Sequence, residues 1–347
     1  MAIGSSNKIP NIRGISDGMK GKNYPFNDCM ALLMESIGEN SLYDYWFFSW
    51  ITGDSFVQVY DCNSSLYPEY CLSGFLPSKP HIHRVFESIG YSYTYIDSET
   101  INHNKQRSIE AVKTSIDRGI PVLINTTMAA TPIENSELSY TLFVGYEDFG
   151  DTLIFINPYD RLIKYDTTRD IKQDWIIIGE KKVNREYSEI LKDTVKMIPS
   201  LMGTPSSDGR YYGVAAFTKW AEDVKSGRFD NETDLWANYG AYFCNLATNA
   251  WANNIADAPH AAFLVTLAEY FPSYIELRDT IGSLYSKLGN GDGKGGLWKE
   301  FTDVGGGFNV SNDVFKDKGT RIIIAWLLRK AADIQENILQ QFRTAIS

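Results

Sequence analysis

Asn23-Tyr-Pro-Phe-Asn-Asp-Cys-Met-Ala-Leu-Leu-Met-Glu-Ser-Ile37 passes from a Pro-containing loop into an apolar run with helical spacing, and Cys29 stands at the junction. The spacing predicts a helix with Cys29 in its first turn. A thiol there lies beside backbone N–H groups that no carbonyl satisfies and beside the positive end of the helix dipole, both of which favour thiolate. Cysteine nucleophiles are commonly built this way. The competing reading is a small, buried, inert thiol, the usual state of a cysteine outside a disulfide. Asp28, next to it, either caps the helix through backbone N–H groups or sets a carboxylate against a neighbouring thiolate.

Outward from this stretch, the first half of the chain reads as mixed α and β. Gly119-Ile-Pro-Val-Leu-Ile-Asn125 and Tyr140-Thr-Leu-Phe-Val-Gly-Tyr146 have the apolar, β-branched character of central strands, and Tyr91-Ser-Tyr-Thr-Tyr-Ile96 alternates like a strand. The turn cluster Glu147-Asp-Phe-Gly-Asp151 predicts a hairpin between Tyr140–Tyr146 and Thr152-Leu-Ile-Phe-Ile156, closed by Asn157-Pro158. Arg84–Ile89 and Ser108–Ile116 carry helical spacing. Beyond residue 185 strand signals fade, and residues 211–225, 235–254, 258–288 and 319–345 read as helices, with Ser226-Gly227 closing the first. The expected organisation is an α+β domain over residues 1–190 followed by an all-helical domain over 191–347.

Composition narrows the function. With 44% apolar, 22% charged and 14% aromatic residues the chain belongs with folded globular proteins. A formal charge of −10 argues against nucleic acid as a partner. Cys29, Cys62, Cys71 and Cys244 are scattered through 347 residues, unlike a disulfide scaffold. The N-terminal stretch lacks a signal-peptide core and no window has the length of a membrane span, so the expected location is cytoplasmic, with no membrane partner.

Three pieces carry a resemblance: Asn27-Asp-Cys-Met-Ala-Leu-Leu33, Ser139-Tyr-Thr-Leu-Phe-Val-Gly-Tyr-Glu-Asp148, and Leu153-Ile-Phe-Ile-Asn-Pro158. In order and spacing they resemble the papain-like cysteine peptidase superfamily, in the branch shared by bacteriocin leader peptidases and the N-terminal domain of butirosin biosynthesis protein H. The stretch Tyr212-Gly-Val-Ala-Ala-Phe-Thr-Lys-Trp-Ala-Glu-Asp-Val-Lys-Ser-Gly227 is similar to the helical domain that follows in such proteins. The resemblance implies a papain-like fold, Cys29 as nucleophile and Asn157 as the residue orienting a catalytic imidazole. It also implies Asn23 as an amide donor to an oxyanion, with Asp28 and Tyr140 at the cleft. At the position of the family histidine this chain has Ser139. A neutral hydroxyl cannot take the thiol proton and return it to a leaving group, so the family mechanism lacks its base.

The four histidines do not obviously replace it. His81 and His83, in Lys79-Pro-His-Ile-His-Arg84, read as surface-loop or helix-start residues; His103 reads as exposed and His260 as a helix-start residue. Cys62, Cys71, His81 and His83 offer zinc-type donors, but eight residues between the cysteines do not make a knuckle. Asn290-Gly-Asp-Gly-Lys-Gly-Gly296 begins like a calcium loop but has Phe301 where the bidentate acid belongs. No metal or cofactor is therefore expected. The aromatic run Tyr43-Asp-Tyr-Trp-Phe-Phe-Ser-Trp50 fills a core or lines a pocket.

Two functions stand side by side. One is a cysteine enzyme handling an acyl or peptide substrate, by acyl transfer or by amide or thioester cleavage, with an acyl-carrier, peptide or small-molecule partner as the resemblance implies. The other is a catalytically silent descendant that binds a peptide or small metabolite. The helical half is a candidate for homodimerisation.

Overall fold

The computed structural model describes residues 5–15, 22–63, 71–75, 78–125, 140–156, 161–289 and 295–346. The strands are β1 (Asn7–Lys8), β2 (Val59–Asp61), β3 (Tyr91–Ile96), β4 (Val122–Asn125), β5 (Tyr140–Glu147), β6 (Thr152–Ile156), β7 (Leu162–Asp166), β8 (Asp174–Lys181) and β9 (Arg210–Tyr212). The helices are α1 (Pro25–Ser36), α2 (Tyr45–Thr52), α3 (Leu72–Phe75), α4 (Ser78–Ile89), α5 (Ser98–His103), α6 (Lys105–Asp117), α7 (Tyr187–Met202) and α8 (Gly213–Ser226). They continue as α9 (Ala241–Asn253), α10 (Phe263–Tyr270), α11 (Ile275–Leu288), α12 (Leu297–Asp303), α13 (Asn312–Lys316) and α14 (Lys318–Ile346). The fold is α+β, with an antiparallel sheet and a helical C-terminal region.

Backbone contacts group the chain into two units that are not contiguous in sequence: Met1–Ile51 with Leu76–Arg185, and Thr52–Phe75 with Glu186–Ser347. They differ from a simple 1–190 and 191–347 division chiefly by the stretch 52–75, which belongs with the helices.

In the first unit, β3, β8, β4, β5, β6 and β7 form one sheet in that order, and β1 adds to β5. The predicted strands and hairpin are present, with Phe143 opposite Phe155 and Glu147 opposite Thr152. β8 is a strand that the sequence reading did not separate, and it pairs with both β3 and β4. Its Trp175 and Ile176 are fully buried. One face of the sheet, through Val122, Ile124, Phe143, Phe155 and Trp175, joins Ile101 of α5 and Val112 and Ile116 of α6 in a single core. The alternate residues Leu123, Leu142 and Val144 point to the other face, as strand geometry requires, and α1 packs on β5 and β4. Gly90 lets β3 start tightly after α4: its φ is +75° and a Cβ there would lie 2.2 Å from the Val183 carbonyl oxygen.

In the second unit, β2 pairs antiparallel with β9, Val59 opposite Tyr212 and Asp61 opposite Arg210. Helix α9 holds the inserted stretch by side-chain amides: Asn245 accepts from the Val59 N–H at 3.0 Å, and Asn253 donates to the Ser55 carbonyl. Gln335 of α14 donates to the Phe56 carbonyl at 2.8 Å. α8 ends as predicted, with Gly227 left-handed at φ +89°. The predicted single helix over 258–288 is instead two. Pro272 interrupts it, α10 stops at Tyr270, and α11 restarts at Ile275 after a short 3-10 turn. Among the described residues, no helix is long and apolar enough to cross a membrane.

Candidate functional site

Helix α1 begins one turn earlier than the apolar run suggests. Tyr24 is the N-cap and Pro25 the first helical residue, where its fixed φ and missing N–H suit a helix start. Cys29 is thus the fifth residue of the helix, not a first-turn residue. Its N–H already lies within the intrahelical ladder, and the end effect of the dipole falls off over that first turn. The Cys29 side chain is 0% exposed, as is that of Asn27. None of the four cysteines, all among the described residues, is in a disulfide.

Asp28, also fully buried, makes no helix cap. Its two carboxylate oxygens accept from Arg13, Nη1 to Oδ2 at 2.8 Å and Nη2 to Oδ1 at 3.0 Å, a planar fork that lysine could not supply. Arg13 was not legible as a site residue, because nothing in the local sequence of the first arm marks it for a residue on α1. Burial works against the Arg13 charge. The pair with Asp28 outweighs it, with Glu35 and Cys29 adding smaller contributions, so the guanidinium is held above its ordinary value. The carboxylate expected to oppose a thiolate is therefore offset by a cation that both groups share. Asn23 is half-buried just before the helix, and the Tyr24 N–H donates to the Tyr45 hydroxyl at 3.2 Å. Tyr45, Phe47 and Phe48 of α2 are buried, so the aromatic run is core.

Tyr140, at the start of β5, is buried with its ring edge-on to Phe26 at 4.9 Å between centroids. Phe26 and Cys29 are three residues apart on α1 and share one side of it. Ser139 and Asn157 lie outside the described residues.

A second ring against Phe26 is that of His81, at 5.4 Å between centroids. Of the two readings of this histidine, surface loop or helix start, the structure overturns the first: it is the fourth residue of α4 and is 2% exposed. Arg84 Nη2 lies 3.1 Å from His81 Nδ1. A guanidinium only donates, so Nδ1 accepts and the ring proton resides on Nε2. Nε2 is buried and has no hydrogen-bond partner among the described residues. Burial, reinforced by the Arg84 charge, pushes the His81 imidazole well below its usual range, so it is neutral. His83, two residues on, is exposed and 3.9 Å from Glu87. His103 and His260 are exposed, the latter in a turn before α10.

A second polar cluster, also missed from sequence, lies in the helical unit. The Tyr60 hydroxyl of β2 donates to Asp223 Oδ2 at 2.7 Å and accepts from Arg228 Nη1 at 2.6 Å. Lys219 donates to Asp223 Oδ1 at 2.7 Å and Arg228 to Oδ2 at 3.0 Å. Burial raises the Asp223 carboxyl, but hydrogen bonds from Lys219, Tyr60 and Arg228 prevail and hold it below its ordinary value. Burial, with Asp223 adding to it, pushes the Tyr60 hydroxyl far up, against the opposing pull of Arg228. No group of three or more His, Cys, Asp or Glu among the described residues is arranged to hold a metal ion.

The class defined by fold and site is an α+β protein with a buried cysteine on a central helix, α1, whose Phe26 packs against a neutral, buried histidine. In comparisons with known proteins, no family model matches this chain and no curated protein matches it in sequence.

Proposed function

We propose that the first unit is a papain-like domain turned to binding: a silent descendant of cysteine enzymes acting on acyl or peptide substrates, holding a peptide or small metabolite near the head of α1. One observation carries this reading. The buried imidazole beside Phe26 has its only basic nitrogen committed to Arg84, and the nitrogen left over is a donor. A donor N–H can hold a carbonyl or carboxylate oxygen of a ligand, but it cannot take the proton of a thiol. The full burial of Cys29 points the same way, since nucleophilic thiols need access.

The alternative, a cysteine enzyme for acyl transfer or amide or thioester cleavage, draws on Arg13, whose charge lies close enough to Cys29 to favour thiolate. Alkylation rate against pH, followed at each cysteine by mass spectrometry, separates the two. On the silent reading Cys29 reacts more slowly than the partly exposed Cys62 and Cys244 at every pH and becomes reactive only in denaturant. Fastest labelling at Cys29 below pH 7, with thioester turnover lost in Cys29→Ala, would establish the enzyme instead.

A further inference from the structure

Helix α14 buries Ile324, Leu327, Leu328 and Ala331 on one side, packed against α8 and α11, and leaves the opposite side open. There Ile322, Ile323 and Trp326 are 48%, 45% and 53% exposed. Three and four residues apart, these side chains adjoin one another as a continuous apolar patch on the helix.

The charges bordering the patch are ordered along the helix. Lys318 is exposed on its N-terminal side and Asp333 on its C-terminal side, with Trp326 near the midpoint between them. Neither Lys318 nor Asp333 forms an ion pair among the described residues. Between them Arg329 is exposed, and Lys330 lies 3.7 Å over the Trp326 ring while reaching Glu300 at 3.1 Å.

We propose that this face is a self-association surface, on which a second copy of the chain lays its own α14 antiparallel across the first, about a two-fold axis near Trp326. A two-fold contact brings each position against the one reflected through the centre. Trp326 then meets Trp326 of the other copy, and Ile322 and Ile323 lie on the aliphatic stems of Arg329 and Lys330. Lys318 meets Asp333 once at each end, about 22 Å of helix apart. A parallel arrangement would instead set Lys318 on Lys318 and Asp333 on Asp333. An anionic membrane surface fits less well, because Asp333 and Glu300 border the same face. A single helix crossing buries less than the ~1,600 Å² of a standard interface, so a dissociation constant on the order of micromolar is expected. The inference is independent of the reading of Cys29.

Sedimentation velocity of the full chain across a concentration series tests it. The parent is expected to shift from monomer to dimer, and Trp326→Ser to stay monomeric. Lys318→Glu and Asp333→Lys should each weaken the dimer by about tenfold, since each turns two attractive rim pairs repulsive, and the double variant should recover to within about threefold of the parent. A parent that remains monomeric throughout overturns the proposal. So does a dimer indifferent to Trp326→Ser, or charge reversals that weaken it without mutual rescue.

Discussion

The head of α1 and the junction of β2 with α8 both bury a carboxylate bonded to arginine, yet they treat their remaining polar atoms differently. Asp223 accepts from Lys219, Tyr60 and Arg228, and the Tyr60 hydroxyl both donates and accepts. At the head of α1, Asp28 is matched by Arg13, but His81, packed on Phe26 of the same helix, keeps a buried N–H with no acceptor among the described residues. A saturated cluster stabilises the fold and nothing more is needed to explain it. An unsatisfied buried donor costs stability; Trp220 Nε1, whose ring stacks on Tyr60, is another, so the contrast rests on the groups bonded at Asp223 against the imidazole packed on Phe26.

The largest effect should come from the saturated side. Asp223→Ala leaves two cations and a hydroxyl without their acceptor and is expected to cost about 3 kcal/mol or more in chemical denaturation. A loss under about 1 kcal/mol would mean the cluster is not a staple and would erase the contrast.

At the head of α1 the effect depends on pH. The folded state holds His81 neutral, below the ordinary value of 6.5, so the unfolded chain binds more protons as the solution is acidified. Stability is therefore fully present above about pH 6.5, the unfolded value, and falls as the pH drops below it. His81→Phe should remove that loss while keeping the ring packing on Phe26. Identical pH profiles for the parent and His81→Phe would show that the imidazole is not held neutral. The smallest change is Tyr60→Phe, which deletes one hydroxyl from a network whose charges still pair; about 1 kcal/mol is expected from its unfolding midpoint.

What the sequence revealed tracks local signals. The hairpin of β5 and β6, the strands β3 and β4, and the end of α8 at Gly227 each announce themselves through alternation or a turn residue within a few positions. Cys29 was legible as a candidate on the first core helix, but its position in that helix was not, because Pro25 starts the helix inside what reads as a loop. The Arg13–Asp28 fork, the burial of His81 and the cluster at Asp223 depend on partners distant in sequence and leave no local mark. β8 escaped for a related reason: its Trp175 and Ile176 are made strand-like by β3 and β4 on either side, and that pairing is long-range.

The interleaved path of the chain has a consequence for synthesis. Residues 52–75 leave the ribosome early, but β9, the strand that pairs with β2, and the helices that cover Phe56 and Tyr60 emerge only after residue 186. During translation the first unit can close its sheet while a stretch interrupting its own sequence still awaits cover for its apolar groups. Folding of the nascent chain is thus out of step with its order of synthesis, with an early segment kept waiting for the last-made helix. A chain stopped near residue 190 would carry that segment permanently exposed, and its shortest self-sufficient portion is not the one its linear order suggests.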